Sequence, residues 1–156
     1  MDLRDLLMLC IQKKASDLHL TENSPPVLRI DGRLNLIKAP PLTRDDNKKM
    51  IYSFLSDEQK ALFEKNLELD LSLALPGLDR FRVNIHIQRG SVEAAFRRIP
   101  LFIPSMEELG LPPIVAELAR KANGLVLVTG PTGMGKTTTL AAMIDYVNNN
   151  KSCHII

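Results

Sequence analysis

A chain of 156 residues that is 45% hydrophobic and 24% charged has the makeup of an ordinary folded protein, with material for one domain or for one and part of another, which argues against disorder. Its 20 basic and 18 acidic residues leave a net charge of +2, with none of the concentrated positive field that nucleic-acid binding uses, so no nucleic acid is expected as a partner. No apolar run nears the roughly 18 residues that mark a membrane span, so no direct membrane insertion is expected, and Cys10 and Cys153 lie too far apart for a C-x-x-C pair or a metal-spaced cluster, as in a reduced, cytosolic protein.

Leu3, Leu6, Leu7, Cys10 and Ile11 recur at helical spacing and predict a helix with one buried face. Leu18 and Leu20 then alternate with Asp17 and His19, Val27 to Ile30 is a short apolar run behind Pro25-Pro26, and Asp31-Gly32 is a two-residue hairpin signal leading into Arg33 to Leu36. Thr43 precedes a helical pattern on Met50, Ile51, Phe54 and Leu55, and Ser56 with Gln59 makes a capping-box start for a further helix. From Leu67 to Leu75 every second residue is leucine, and after Pro76-Gly77 the residues Phe81, Val83, Ile85 and Ile87 alternate with Arg80, Arg82, Asn84, His86 and Gln88. Arg89-Gly90 turns the chain into a last strand, Val92 to Ile99. Three consecutive antiparallel strands with one wet face are expected, with the helices packed on the other.

Pro100 and Pro104 bracket Leu101-Phe102-Ile103, a segment in which proline removes amide donors and blocks a sheet ladder. The boundary is placed there, with residues 1–100 as the first domain, 101–111 as a linker and 112–156 as the start of a second. A short helix is expected near Met106 to Leu109, and Pro112-Pro113 opens another that runs through Ala122 to a stop at Gly124. Leu125 to Val128 is continuously apolar and valine-containing, the pattern of a strand buried on both faces of a parallel sheet.

Immediately after that run, Gly130-Pro131-Thr132-Gly133-Met134-Gly135-Lys136-Thr137 matches G-x-x-x-x-G-K-S/T ahead of a predicted helix from about Lys136 to Asn148. Glycines let backbone amides turn inward around phosphate oxygens, and the helix adds free amides and the positive end of its dipole. Lys136 is expected to reach the beta and gamma phosphates of ATP, and Thr137 to ligate magnesium, with Thr138 completing the loop's nucleotide contacts. Small nucleotide kinases and Ras-type GTPases place this loop near the start of the chain, whereas here an alpha/beta unit precedes it.

Ala15-Ser16-Asp17-Leu18-His19-Leu20, Arg29-Ile30-Asp31-Gly32, Glu68-Leu69-Asp70-Leu71-Ser72, Arg80-Phe81-Arg82-Val83-Asn84, Phe96-Arg97-Arg98-Ile99-Pro100 and the run Gly124 to Val147 together resemble the secretion and type IV pilus motor ATPases, and within them the PilT-type retraction motors. The resemblance spans nearly the whole chain. It implies an α/β protein with a PAS-like α+β domain followed by the beginning of a RecA-like P-loop ATPase domain. It further implies a cytoplasmic hexamer, peripheral at the inner membrane through the pilus machine and its platform protein, that hydrolyses ATP to drive pilus retraction and twitching motility. Fourteen residues precede the Ala15 signature, where extension and export motors of this family usually carry a further domain, so retraction is preferred. Two distant cysteines also cannot build the four-cysteine zinc site that export motors tend to have.

Two departures from the family pattern stand out. Met134 occupies a loop position where serine is common, and because the phosphate contacts are mostly backbone, binding is expected to survive. The chain ends at His154-Ile155-Ile156, where a second core strand is expected to begin, so the family's acidic glutamate, its Walker B carboxylate and its histidine box all lie downstream. The expectation is a chain that lacks the water-orienting and metal-holding groups of hydrolysis.

Arg82 and Arg97 are identified by the resemblance as arginine fingers reaching a neighbouring subunit's nucleotide, a task suited to a planar, permanently charged fork. On the residues alone they are equally an ordinary solvated sheet face. His19 and His86 have no second ligand at metal spacing and read as polar-face or capping residues. Glu68 and Asp70 read as a structural or interface acidic patch, and Met143 and the leucine stripe as core. Two alternatives stand beside the retraction motor: a non-catalytic nucleotide-binding or assembly module, and an export-system ATPase of the same family.

Overall fold

The computed structural model describes residues 1–75, 79–131 and 133–156. The predicted Pro76-Gly77 turn and Thr132 of the predicted loop lie outside them. The chain divides into two compact units, Met1–Leu101 and Phe102–Ile156.

The first unit carries α1 (Leu3–Gln12), β1 (Asp17–Leu20), β2 (Val27–Ile30), β3 (Arg33–Leu36), α2 (Arg44–Tyr52), α3 (Asp57–Asn66), β4 (Glu68–Ala74), β5 (Arg80–Gln88) and β6 (Ser91–Ile99). Each helix starts on a capping box, formed by Asp2 with Asp5, Thr43 with Asp46, and Ser56 with Gln59. Two first-turn amides at each start are thereby satisfied without tertiary help.

All six strands form one antiparallel sheet in the order β3-β2-β1-β6-β5-β4. Two of its hairpins close on two-residue turns, Asp31-Gly32 with φ of 47° and 77°, and Arg89-Gly90 with φ of 50° and 80°. Left-handed backbone at both positions is the turn that matches strand twist, and glycine makes the second position cheap. The hairpins lock Ile30 opposite Arg33 and Gln88 opposite Ser91.

Alternation then sends one set of side chains to each face. Leu18, Leu20, Leu28, Leu69, Phe81, Val83, Ile85, Val92, Ala94 and Phe96 form a core with Leu3, Leu6, Leu7 and Cys10 of α1, Ile51 of α2 and Phe63 of α3. Burying each large apolar side chain contributes about 1.5–3 kcal/mol. The opposite face carries Asp17, His19, Arg29, Asp70, Arg82, Asn84 and Arg97. Arg98 falls on the core side, where it pairs with the buried Asp79; the other Asp79 oxygen accepts from the Leu101 amide at 3.0 Å.

The second unit contains α4 (Pro113–Arg120) and α5 (Lys136–Asn150) around a small core of Met106, Ala142 and Met143. Its details differ from the sequence expectation in three places. Residues 106–110 form turns, with Leu109 donating to Ser105 O at 3.0 Å and Gly110 to Glu107 O at 2.9 Å, in place of a helix. Left-handed Gly110, φ 64°, and Pro112 just beyond it stop propagation after one turn. Helix α4 ends at Arg120, two residues before the expected Ala122.

The third difference is the largest. Leu125 to Val128 is not a strand, and neither are His154 to Ile156. Leu125 is 82% and Leu127 74% exposed. A strand exists only through its ladder, and among the described residues of this unit no strand is present to pair with it.

Candidate functional site

Two groupings of chemistry-bearing residues emerge, one in each unit. In the second unit the loop from Gly130 to Gly135 leads directly into α5. Gly130, Gly133 and Gly135 have φ of 149°, 85° and 80°. Among the described residues, a Cβ added at any of them would meet nothing within 4 Å, so it is backbone conformation that calls for glycine there. Gly135 is the N-cap of α5, and among the described residues no side chain caps the helix. The first-turn amides, with the positive end of a 15-residue helix behind them, suit an anion.

Lys136 Nζ donates to Gly130 O at 2.8 Å and to Pro131 O at 2.7 Å, tying the loop's two ends together. Thr137 and Thr138 are exposed in the first turn of α5, with hydroxyls available to a ligand at the same end. Pro131 and Met134 are exposed, Met134 at 72%. Among the described loop residues this donor set fits a phosphate chain with a hard cation: backbone amides, one ammonium and a threonine hydroxyl, all hard N–H and O–H groups.

The second grouping lies on the face of the first unit's sheet opposite the α1, α2 and α3 core. Strand register places Ser72, Arg82, Arg97, Asp17 and Arg29 in one rung across β4, β5, β6, β1 and β2. Asp17 is buried, and both its oxygens are taken. Oδ1 accepts from Arg97 Nε at 3.1 Å, and Oδ2 accepts from Ser16 Oγ at 2.8 Å and faces Arg29 Nε at 3.3 Å. Burial pushes the Asp17 carboxyl up, but the Ser16 hydroxyl and Arg97 outweigh it and hold it below its ordinary value.

Arg82 contacts Asp70 at 3.5 Å through a terminal nitrogen. The adjoining rung brings His19, Ala95, Asn84 and Asp70 into line, and together with Asp17, Arg82 and Arg97 they line a concavity of about 280 Å³. His19 is half-buried and held below the usual imidazole value, first by burial and then by Arg29 and Arg97, with Asp17 opposing. Glu68 accepts from Asn84 at 3.2 Å, and His86 Nδ1 lies 3.1 Å from the Asn84 side-chain oxygen. Glu68 and Asp70 therefore serve as partners for β5 side chains.

A model of the type II/IV secretion system protein family matches residues 2–156. The chain belongs to this family. Among curated family relatives, it is 46% identical over 156 residues to the type IV pilus retractation ATPase PilT of Pseudomonas aeruginosa, covering 100% of this chain and 45% of that one. It is 38% identical over 156 residues to the type IV pilus ATPase PilU of the same organism, covering 41% of it. The crystal structure of the pilus retraction motor PilT with bound ADP superposes with a TM-score of 0.80 at 46% identity, over 99% of this chain and 46% of that one. The six-stranded α/β architecture matches the N-terminal part of that structure. The chain thus spans about half the length of the family relatives it matches.

The sequence reading singled out the loop and two arginines, and the structure sets Arg82 and Arg97 directly opposite each other on β5 and β6. It missed the clamp on Arg97. Asp17 and Arg97 lie 80 positions apart, and only the β1–β6 pairing joins them; the one local signal was an acidic residue alternating with the core leucines Leu18 and Leu20 on a short strand.

Proposed function

We propose that this chain is the N-terminal portion of an ATP-driven motor for type IV pilus retraction. The observation that carries the reading is the Gly130–Thr137 loop feeding an uncapped helix with Lys136 at its mouth, in a chain 46% identical over its whole length to a PilT. On this reading the loop, Thr132 included, cradles the ATP phosphates through its amides, Lys136 leaves the loop carbonyls to meet the beta and gamma phosphates, and Thr137 ligates magnesium. Thr138 donates to the alpha phosphate side.

Residues 1–100 are then a PAS-like domain, 101–111 a linker and 112–156 the opening of a RecA-like domain, whose further strands cover Leu125 to Val128. Six copies assemble at the cytoplasmic base of the pilus machine against its inner-membrane platform protein. Arg82 and Arg97 serve as fingers on a neighbouring subunit's nucleotide, where a guanidinium offsets charge gathering in the transition state. Hydrolysis and pilus retraction belong to the whole protein.

Titration of a fluorescent ATP analogue with magnesium into wild type and Lys136→Ala tests the reading. Loss of affinity in the variant is the expected result. Equal binding by the two proteins would remove the loop from the nucleotide site.

A further inference from the structure

Arg82 and Arg97 are both exposed and adjacent, yet they are held in different ways. Arg97 is engaged at Nε, the nitrogen nearest its stem, by a carboxylate whose side chain is only 10% exposed. That carboxylate is itself fixed on its other oxygen by Ser16 and Arg29. Among the described residues no side chain or carbonyl hydrogen-bonds the two terminal nitrogens of Arg97. Arg82 is engaged at a terminal nitrogen, at 3.5 Å, by Asp70, and the two side chains are 66% and 52% exposed. A contact of that kind contributes little and orders little. A guanidinium gripped at Nε by an immobile carboxylate keeps its outer edge pre-aimed and open to two parallel hydrogen bonds.

We propose that Asp17 is a positioning residue: its carboxylate, braced by Ser16 and Arg29, fixes Arg97 through Nε and leaves the outer guanidinium edge ready for a phosphate-type anion, while Arg82 supplies unfixed charge beside it. The proposal rests on the reading of Arg97 as a group that meets a neighbouring subunit's nucleotide. It divides the pair, making Arg97 the directional contact and Arg82 an electrostatic one. An arginine fixed before the anion arrives loses less side-chain freedom on contact, which favours turnover over mere attraction.

Two measurements separate this from the reading beneath it. In the full 156-residue chain, arginine Nε–Hε NMR should show Arg97 slow to exchange and rigid and Arg82 mobile. Asp17→Asn should release Arg97, whereas Arg29→Gln, which removes one of two braces and keeps both Ser16 on Oδ2 and the Oδ1 contact, should loosen it less. In the assembled ATPase, Asp17→Asn and Arg97→Lys should each lower kcat to within about threefold of Arg97→Ala, with nucleotide affinity unchanged, and Asp17→Asn should add nothing to Arg97→Ala.

A mobile Arg97 in the wild type, or one still rigid in folded Asp17→Asn, overturns the positioning role. The wild-type comparison of Arg97 with Arg82 decides the matter by itself where Asp17→Asn does not fold. Full turnover in Arg97→Ala with a rigid Arg97 would instead keep the positioning contact and overturn the neighbouring-subunit reading.

Discussion

Arg82 and Arg97 face each other across the β5–β6 ladder, two like charges in direct cross-strand register. Such a pair is destabilising by itself, and each member has a separate acid beside it, Asp70 for Arg82 and Asp17 for Arg97. Arg82→Ala is therefore expected to leave stability within about 0.5 kcal/mol of wild type, since it removes an exposed ion pair and a like-charge neighbour together. If the proposed function holds, the same change in the whole assembled protein should lower kcat by less than Arg97→Ala does. Urea unfolding and steady-state turnover check the two halves, and a larger loss from Arg82→Ala than from Arg97→Ala would reverse their assigned roles.

Lys136 bridges two carbonyls of its own loop, Gly130 and Pro131. A charged donor shared between two carbonyls ties this end of the loop to the start of α5. Lys136→Met keeps the apolar stem and removes both bonds, so amides across 130–135 should exchange with solvent faster in nucleotide-free protein, while those of α5 past its first turn stay as they were. Hydrogen exchange read by mass spectrometry shows this directly. Unchanged loop exchange would mean that the lysine does not hold the loop.

Local features of the fold were legible in the sequence because they are decided by neighbours a few residues apart. Asp31-Gly32 and Arg89-Gly90 announce hairpins through residues that tolerate left-handed backbone, and Ser56 with Gln59 announces a helix start by mutual capping. The pairing of β1 with β6, which seats Asp17 beside Arg97, depends on strands some 80 residues apart, and nothing local encodes it. Leu125 to Val128 shows the converse limit. Its apolar run states that it is suited to burial, but a ladder also needs a partner, and Leu125 and Leu127 remain exposed. The glycine-rich loop pattern was visible because glycine spacing, lysine and helix start are contiguous, whereas the clamp joins Asp17 to Ser16, Arg29 and Arg97 on a loop and two further strands.

Asp17 also makes stability depend on acid. Its carboxyl is held below the ordinary aspartate value, with burial outweighed by Ser16 and Arg97. A group whose folded pKa is depressed contributes stability above its unfolded value, about 3.9, and that contribution fades as pH falls through the lower folded value. Wild type should lose stability more steeply than Asp17→Asn below about pH 4, and the two should run parallel near neutrality. Thermal unfolding across that range measures it. Parallel curves at every pH would show that Asp17 is not the linked group.

The two cysteines should differ sharply in reactivity. Cys10 is buried in the α1 face of the core and its thiol is pushed up to about 11, chiefly by burial, with Arg98 opposing. Cys153 is exposed. Since the thiolate is the nucleophile, an aromatic disulfide reagent at about pH 8 should titrate Cys153 promptly and Cys10 only on unfolding, giving one fast equivalent natively and two in denaturant. Rapid native reaction of both would mean that α1 opens readily from the sheet.

Within the phosphate loop, Met134 and Gly135 should respond in opposite ways to a small change. Met134 is 72% exposed, and its amide is 3.4 Å from Pro131 O, so its contribution to loop shape comes from the backbone. Met134→Ser keeps that backbone and is expected to hold nucleotide affinity within about threefold, a change of less than about 1 kcal/mol. Gly135 sits at φ 80° as the N-cap of α5, a conformation that costs an L-residue about 1–2 kcal/mol. Among the described residues Gly135→Ala meets no atom within 4 Å, so the cost is conformational. The chain relieves it by turning this peptide, which moves the first-turn amides of α5 away from the position that suits an anion. Affinity for the ATP analogue should therefore fall by about tenfold or more in Gly135→Ala, while the circular dichroism of the two variants stays alike. If Gly135→Ala bound as tightly as Met134→Ser, left-handed backbone at the helix entry would not be what the phosphate site requires.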